Sequence, residues 1–468
     1  MPIFDAKRVA DWTGGQWAAL PASAPSGFSV DSRRIALGEV FVALKTGKRD
    51  GHDFLGAALA AGASAAIVSR AVAEVALPQL VVADPLAALQ AIARGHRRAF
   101  RGPVIGVTGS AGKTSTKELL AILLGGEAGG VLATEGNLNN HIGVALTLCR
   151  LDPDKHQFAV VEAGISAPGE MAILAGMIDP DIAIVTMVGP AHLEDLGDIE
   201  AVATEKAGLA AAAIAKGGTS IFPSSCEAYA AFRALPPQGC LVVELTSAGG
   251  RVPPRGRIAF DASHPGEHTR VSVAFGPPPP VVVSLRRVTE GMAQNTALAV
   301  CAALRLGVQR KEMERRLLTW NPSPLRGEWR VSDGRRVYLD CYNANPASMA
   351  DALAAFNAVA PIGEPHLMVI GCMEELGSDA ARYHRELGRS LRLRAGDQLV
   401  AIGGLAGAVR QGALDAGAHA GQIEVADSVG PLSARLAAFR GSVFVKGSRR
   451  HQLEKAFAGP EHAEASHA

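Results

Sequence analysis

The stretch Gly109-Ser110-Ala111-Gly112-Lys113-Thr114-Ser115 gathers two glycines, a lysine and three hydroxyls into one short run. Glycines let a chain turn tightly enough for successive backbone N–H groups to face phosphate oxygens. A helix starting immediately afterwards adds the positive end of its dipole. Lys113 would neutralise the β- and γ-phosphates, and the Thr114 hydroxyl is placed to ligate Mg2+. The strict phosphate-loop pattern has a further glycine where Val107 stands. The loop predicts a nucleoside triphosphate and leaves the reaction open. Three more residues could serve the same centre. Glu162 ends the apolar run FAVVE, and the end of a parallel strand borders the ligand crevice. A carboxylate there binds Mg2+ directly or through water, or merely caps a helix. His192 follows DIAIVTMVGPA and offers either a metal-ligating imidazole or an ordinary loop side chain. Lys206, in ATEKAGLAAAAIA, reads on its own as a surface lysine.

These residues need a scaffold that brings strand ends together. PVIGVTGSAGKTSTKELLAILL (103–124) reads as strand, Gly-rich turn and helix, and FAVVEAG and DIAIVTMVG repeat the strand pattern. Alternating apolar strands and helices predict a mostly parallel sheet with helices on both faces. Before this segment, EVFVAL (39–44) and AAIVS (65–69) read as strands around the helical GHDFLGAALAAGA, and VVADP ends at a proline. After it, VYLDCYNANP (337–346), HLMVIGCMEELG (366–377), DQLVAIGG (397–404) and SVFVKGS (442–448) are strands with short turns, and SMADALAAFNAV is a helix. Residues 217–290 read as less regular, with GGRVPPRGR and FGPPPP as turns around strands. TALAVCAALRLG resumes helix, and the tail GPEHAEASHA is predicted disordered. The pattern divides the chain into 1–83, 84–315 and 316–468.

Composition narrows the function. The 468 residues carry a formal net charge of +1, which gives no basic field for nucleic acid. No uninterrupted apolar run of about 20 residues predicts a membrane span. The N-terminus MPIFDAKRVADWTGG lacks the pattern of a secretory signal. Six scattered cysteines without metal spacing predict reduced thiols and a cytoplasmic protein.

Taken together, several separated motifs resemble the Mur ligase family along almost the whole chain. They are DSRR (31–34) with KRDGHDF (48–54), TGSAGKTSTKE (108–118), TEGNLNNHIGVALTL (134–148), VEAG (161–164), PAHLEDLG (190–197), DCYNANPASM (340–349), MEELG (373–377) with His384, and VKGSRR (445–450). YNANP favours the branch that joins D-alanyl-D-alanine to a UDP-N-acetylmuramoyl-tripeptide over the folate ligases. A sister Mur, cyanophycin-like or folate-like ligase adding a different amine is the alternative. The resemblance implies a three-domain α/β architecture. An N-terminal domain, the smallest, would bind the UDP-muropeptide. A central P-loop ATPase domain and a C-terminal Rossmann-like domain for the dipeptide would follow. It implies ATP-driven chemistry through an acyl phosphate in peptidoglycan synthesis, and so a part in cell shape and division. It also implies ATP and Mg2+, and a monomer.

Carried over residue by residue, the resemblance gives Gly109 to Ser115 to ATP. Thr114, Glu162, His192 and Lys206 go to metal, with Lys206 carbamylated. Lys113, Glu162, His192 and Lys206 become the catalytic set. Asn295 and Asp340 match adenine- and ribose-facing positions. Tyr342, Asn343 and Asn345 form a connected site loop. Ser32, Arg33, Asp50 and His52 would take the UDP-sugar, and Thr134, Asn137 and Asn140 would face substrate in the central cleft. The chain departs from the family at Leu339 and Cys372, which replace acids, and around GMAQN (291–295), which lacks a histidine. In PLRGEWR (324–330), Arg326 or Arg330 stands in for the usual Gly-Arg pair. Lys446 and Arg449 are candidate anchors for the dipeptide carboxylate.

Overall fold

A computed structural model describes residues 2–246, 256–275, 279–332, 334–430 and 432–457. Three large sheets follow one another along the chain. The apolar runs of the middle segment become parallel strands because both faces are covered by helices, which favours unbroken Val/Ile/Ala stretches over alternation. Strand Val104–Thr108 lies between Ile182–Val185 and Phe158–Glu162, and all of its residues are buried. Val131–Ala133 lies beyond Phe158–Glu162. On the other side, Thr219–Pro223, Cys240–Leu245 and Arg257–Ser263 continue the parallel order. His268–Ala274 and Val281–Arg286 then close the nine-stranded sheet antiparallel.

The region read as irregular, 217–290, therefore supplies five strands of this sheet. Its last two alternate buried positions with half-buried or exposed ones, and the surrounding Gly/Pro turns mask that short pattern. Most of GGRVPPRGR, three residues of FGPPPP and the tail 459–468 lie outside the described residues.

The first sheet, five-stranded, has the core strands Val40–Val42, Ala65–Val68 and Gln79–Val81 parallel to one another. The last sheet, six-stranded, pairs Arg335–Asp340, Ser442–Lys446, His366–Gly371, Gln398–Ile402 and Ile423–Ala426 in parallel, with Glu328–Ser332 antiparallel at its edge. Its core stacks Trp329 on Phe356 and Tyr338 on Phe444.

Helix Pro85–Ala99 joins the first sheet to the second. Asp84 caps it by accepting from Leu86 N, and Pro85 sits at its first position, where a missing N–H costs nothing. Leu89 and Ile92 share one apolar cluster with Val40, Ile67 and Leu80 of the first sheet and with Leu148, Leu174 and Ile178 near the central one. Arg97, only 4% exposed, donates to the carbonyls of Ile178 (2.9 Å) and Asp179 (2.7 Å) and to Asp181 Oδ2 (3.0 Å). A buried guanidinium with this many acceptors is satisfied, which is what makes its burial tolerable.

All six cysteines are free and buried. Among the described residues, no helix is long and apolar enough to cross a membrane.

Candidate functional site

At the C-terminal end of strand Val104–Thr108 the chain turns through Gly109 (φ 151°) and Gly112 (φ 81°) into helix Lys113–Leu123. Both glycines are required by what faces them. A Cβ at Gly109 would lie 1.8 Å from Thr186 Oγ1, and one at Gly112 would lie 2.3 Å from Asn295 Nδ2. The loop is thus clamped between a neighbouring strand end and helix Glu290–Arg305. Thr186 donates to the Ala111 carbonyl (2.5 Å), and Ser110 Oγ exchanges hydrogen bonds with Gly189.

Lys113 Nζ donates to the Gly109 carbonyl (2.9 Å). Burial pulls its pKa down, nearby Glu162 acts against that, and Arg326 adds to it.

Ser110, Ala111, Gly112, Lys113, Thr114 and Ser115 line a cavity of about 400 Å³. Asn137, Glu162 and Asn295 also line it, together with Asp340, Tyr342, Asn343 and Asn345. The cavity therefore lies between the central and last sheets. Glu162 is 1% exposed. Its Oε1 accepts from Asn139 Nδ2 (2.8 Å), while Oε2 is buried without a partner. An orphaned carboxylate oxygen beside a phosphate loop fits a cation ligand, since an unpaired buried acceptor is otherwise costly.

Asn139 was missed from sequence although it sits inside the GNLNNHIG motif, two residues from Asn137. Its bond to Glu162 and its place on the cavity wall mark it out in the fold. Thr134 is 2% exposed and accepts from Glu162 N (2.9 Å), and Lys117 Nζ donates to the Thr134 carbonyl (2.8 Å). Asn140 accepts from Gly143 N (2.9 Å) at the start of helix Gly143–Cys149. These two side chains hold the loop's shape in this conformation, and of the three only Asn137 lines the cavity.

His192 and Lys206 are not among the cavity-lining residues. His192 adopts φ 55° and its Nδ1 lies 2.5 Å from Glu375 Oε2, across from the last sheet. Lys206 is 2% exposed, which removes the surface-lysine reading. Burial is the first cause driving its pKa well below the ordinary lysine value, followed by the like charge of Lys113. Glu205 and Cys226 act in the opposite direction. Among the described residues, no three His, Cys, Asp or Glu side chains converge as a metal cluster. A cation at Glu162 would therefore draw on other oxygens, such as the Thr114 hydroxyl or phosphate.

The C-terminal residues divide between building and facing the cavity. Lys446, 1% exposed, donates to Asp340 Oδ2 (2.6 Å) and the Asn343 carbonyl (3.2 Å). Arg449 pairs with Glu454. Both cations considered for the dipeptide carboxylate are thus already engaged. Asn345 caps helix Pro346–Val359 through Ser348 N (2.9 Å) and reaches the phosphate loop through Nδ2 to the Ser110 carbonyl (3.1 Å). Arg326 stacks 3.9 Å over the Tyr342 ring inside the cavity. Gly291 lies in the GMAQN stretch (291–295) that lacks the family's histidine. Its N donates to Asp351 (3.0 Å), and a Cβ there would strike Asp351 at 2.5 Å.

The N-terminal set lies apart from this cavity. Asp50 Oδ1 meets His52 Nδ1 at 2.6 Å, and His52 Nε2 accepts from Ser69 N (3.1 Å). Arg33 is held by Asp31, and Ser32 is half-buried beside it.

Residues 26–97 match a family model described as "Mur ligase family, catalytic domain". Residues 107–303 match "Mur ligase middle domain", and residues 325–449 match "Mur ligase, glutamate ligase domain". The chain is 30% identical over 378 residues to the UDP-N-acetylmuramoyl-tripeptide–D-alanyl-D-alanine ligase of Escherichia coli (strain K12), covering 80% of each chain. A crystal structure of MurF from Acinetobacter baumannii superposes with a TM-score of 0.83 at 27% identity, covering 97% of this chain and 98% of that one. MurF ligase from Thermotoga maritima in complex with ADP gives 0.76 at 27% identity, covering 92% and 96%.

Proposed function

The chain belongs to the Mur ligase family, and on that footing we infer that it joins D-alanyl-D-alanine to a UDP-N-acetylmuramoyl-tripeptide with hydrolysis of ATP to ADP and phosphate. It is an ATP-dependent ligase of peptidoglycan synthesis. A carboxylate is a poor electrophile because its charge is delocalised. Its oxygen attacks the γ-phosphorus of ATP, ADP leaves, and the resulting acyl phosphate carries a good leaving group. The dipeptide amine attacks the acyl carbon, and the tetrahedral intermediate expels phosphate as the amine loses its proton.

The observation that carries this reading is a phosphate loop whose cavity also holds an orphaned carboxylate oxygen and is closed by the YNANP loop. Lys113 and the backbone of Gly109 to Ser115 bind the triphosphate and offset charge on the transferring group. Thr114, Glu162, His192 and a carbamylated Lys206 would hold Mg2+. When bound, it offsets phosphate charge as two anions approach. Carbamylation turns a cation into an anion with oxygen donors, which hard cations prefer. The burial of Lys206 excludes its use as a solvating surface charge.

Asn295 and Asp340 take adenosine, Tyr342, Asn343 and Asn345 shape the acceptor side, and Asn137 with Thr134 and Asn140 order the cleft. Arg326 fills the place of the family's Gly-Arg arginine, because it lies in the cavity within electrostatic range of Lys113. We assign 1–83 with Ser32, Arg33, Asp50 and His52 to the UDP-sugar, 84–315 to ATP, and 316–468 to the dipeptide. We further propose a monomer, working in the cytoplasm, where nucleotide-linked substrates are made.

The test is ligation by the purified chain with ATP, Mg2+, UDP-muropeptides ending in meso-diaminopimelate or lysine, and candidate amines, read by product mass. Product with single amino acids but not with the dipeptide would sink the assignment. Lys206→Ala is expected to be nearly inactive and partly rescued by a small carboxylate. Wild-type turnover in that variant would remove Lys206 from the site.

A further inference from the structure

Two loops from different sheets meet at His192 and Glu375, and both residues adopt left-handed backbone conformations, φ 55° and φ 62°. Neither is glycine. Non-glycine residues in this region are strained and persist where surroundings impose them. Here the imposed geometry has one visible product, the 2.5 Å approach of Glu375 Oε2 to His192 Nδ1.

The loop carrying Glu375 is itself held from behind. His384, fully buried in helix Ala380–Ser390, accepts from Met373 N (2.9 Å) through Nε2 and donates through Nδ1 to the Ala380 carbonyl (2.6 Å). The contact is tight on the other side as well. Glu194 N points at the Glu375 carbonyl (3.4 Å), and a Cβ on Gly377 would lie 3.3 Å from Glu194 N.

An imidazole that binds a cation commonly gives its other ring N–H to a carboxylate, which fixes both tautomer and ring plane. We propose that Glu375 is the positioning residue of His192, supplied by the last sheet, so that the imidazole is set for cation binding only when that sheet is docked on the central one. The inference rests on the reading of His192 as a metal ligand given above. Glu375 carries no bond to the reacting atoms. His192 Nδ1 has no hydrogen-bond partner in this conformation, and the Glu375 carboxylate 2.5 Å away is the group placed to take its proton, leaving Nε2 as the nitrogen with a free lone pair. The chain of contacts runs from His384 through the MEELG loop to Glu375 and then to His192. A separated last sheet leaves the imidazole free to rotate and to exchange tautomers. The ATP site would then gain a ligand by docking.

The experiment titrates Mn(II) into the full chain holding a non-hydrolysable ATP analogue, read by electron paramagnetic resonance. The variants are Glu375→Ala, Glu375→Gln, His192→Gly and Glu375→Ala/His192→Gly. Glycine at 192 accepts the positive φ without strain. Glu375 is more than half exposed, so its variants keep the fold, and circular dichroism checks this. Glu375→Ala is expected to weaken Mn(II) by about 10–100-fold. Glu375→Gln, whose amide oxygen still accepts the Nδ1 proton, should retain most of the affinity. The double variant should bind no more weakly than His192→Gly. Metal-free ring 15N shifts of His192 should show one tautomer in the wild type and a mixture in Glu375→Ala. Unchanged Mn(II) affinity in Glu375→Ala with a loss in His192→Gly overturns the positioning role and leaves the ligand reading intact. Unchanged affinity in His192→Gly overturns the ligand reading itself. Additive losses in the double variant would mean that Glu375 acts without His192, and would also overturn the proposal.

Discussion

At the scale of single residues the site is built from buried charges. Lys113, half-buried in the glycine-rich loop, is held against the Gly109 carbonyl. Lys113→Ala should cut acyl-phosphate formation by about 100–1000-fold, the scale for losing one preorganised charge at a transferring group. Circular dichroism should be unchanged, and single-turnover rates near wild type would remove the lysine from the chemistry. His384 makes a second residue-level case. Burial lowers its pKa, its bond to the Ala380 carbonyl and Glu374 act against that, and His451 adds to it. Its folded pKa lies below the unfolded value of about 6.5, so the unfolded chain takes up the proton first as pH falls. The stability it contributes is therefore complete above about pH 6.5 and declines from there down through the folded pKa. His96, His156 and His366 are lowered in the same sense, so the comparison must be between chains. His384→Gln should flatten part of the acid limb of a melting-temperature profile, and an unchanged profile would refute this.

At the scale of elements, the helix starts and strand ends carry the function. Asn345 closes a capping box on helix Pro346–Val359 and also bonds the phosphate loop. Asn345→Ala should cost about 0.5–2 kcal/mol from the cap alone, measured by denaturant unfolding. Asn345→Asp should restore the cap, since its carboxylate still accepts from Ser348 N. It cannot donate to the Ser110 carbonyl, so nucleotide affinity should stay reduced. Wild-type nucleotide binding in Asn345→Asp would sever the link.

Sequence made the strand–turn–helix around Gly109 to Ser115 legible because apolar run, glycines and helix follow without interruption. Glu162 was legible for the same reason, since it ends a buried run. The engagement of Lys446 by Asp340 was not, because the two are 106 positions apart and only parallel pairing of their strands brings them together. Asn139 was hidden among similar neighbours, and the closing antiparallel strands of the central sheet were hidden by the Gly/Pro turns around them.

At the scale of the whole molecule, the three sheets are joined in two different ways. The first and central sheets share a continuous apolar cluster through helix Pro85–Ala99. The last sheet meets the central one through polar contacts: Asn345 to Ser110, Gly291 to Asp351, His192 to Glu375 and Ser323 to Glu118. Polar interfaces of this kind let parts move, whereas a shared apolar core does not. Arg97→Met should cost about 3 kcal/mol by leaving several carbonyls without a donor. It should also split the melting of the first and central sheets into two steps in calorimetry. A single unshifted transition would show that the helix is not the fastener.

That shared core also sets an order on synthesis. While the chain is emerging from the ribosome, strands Val40–Val42, Ala65–Val68 and Gln79–Val81 appear long before Leu148, Leu174 and Ile178, the residues that complete their cover. Domains tend to fold as units during translation, and one face of this first sheet has its own core from Phe41, Leu55, Val68 and Leu77, yet the other face lacks its cover when the last strand is made. That face must therefore wait, with apolar surface exposed, until about as many residues again have been added. For a stretch of translation longer than the sheet itself, this face is a client for whatever shields nascent chains.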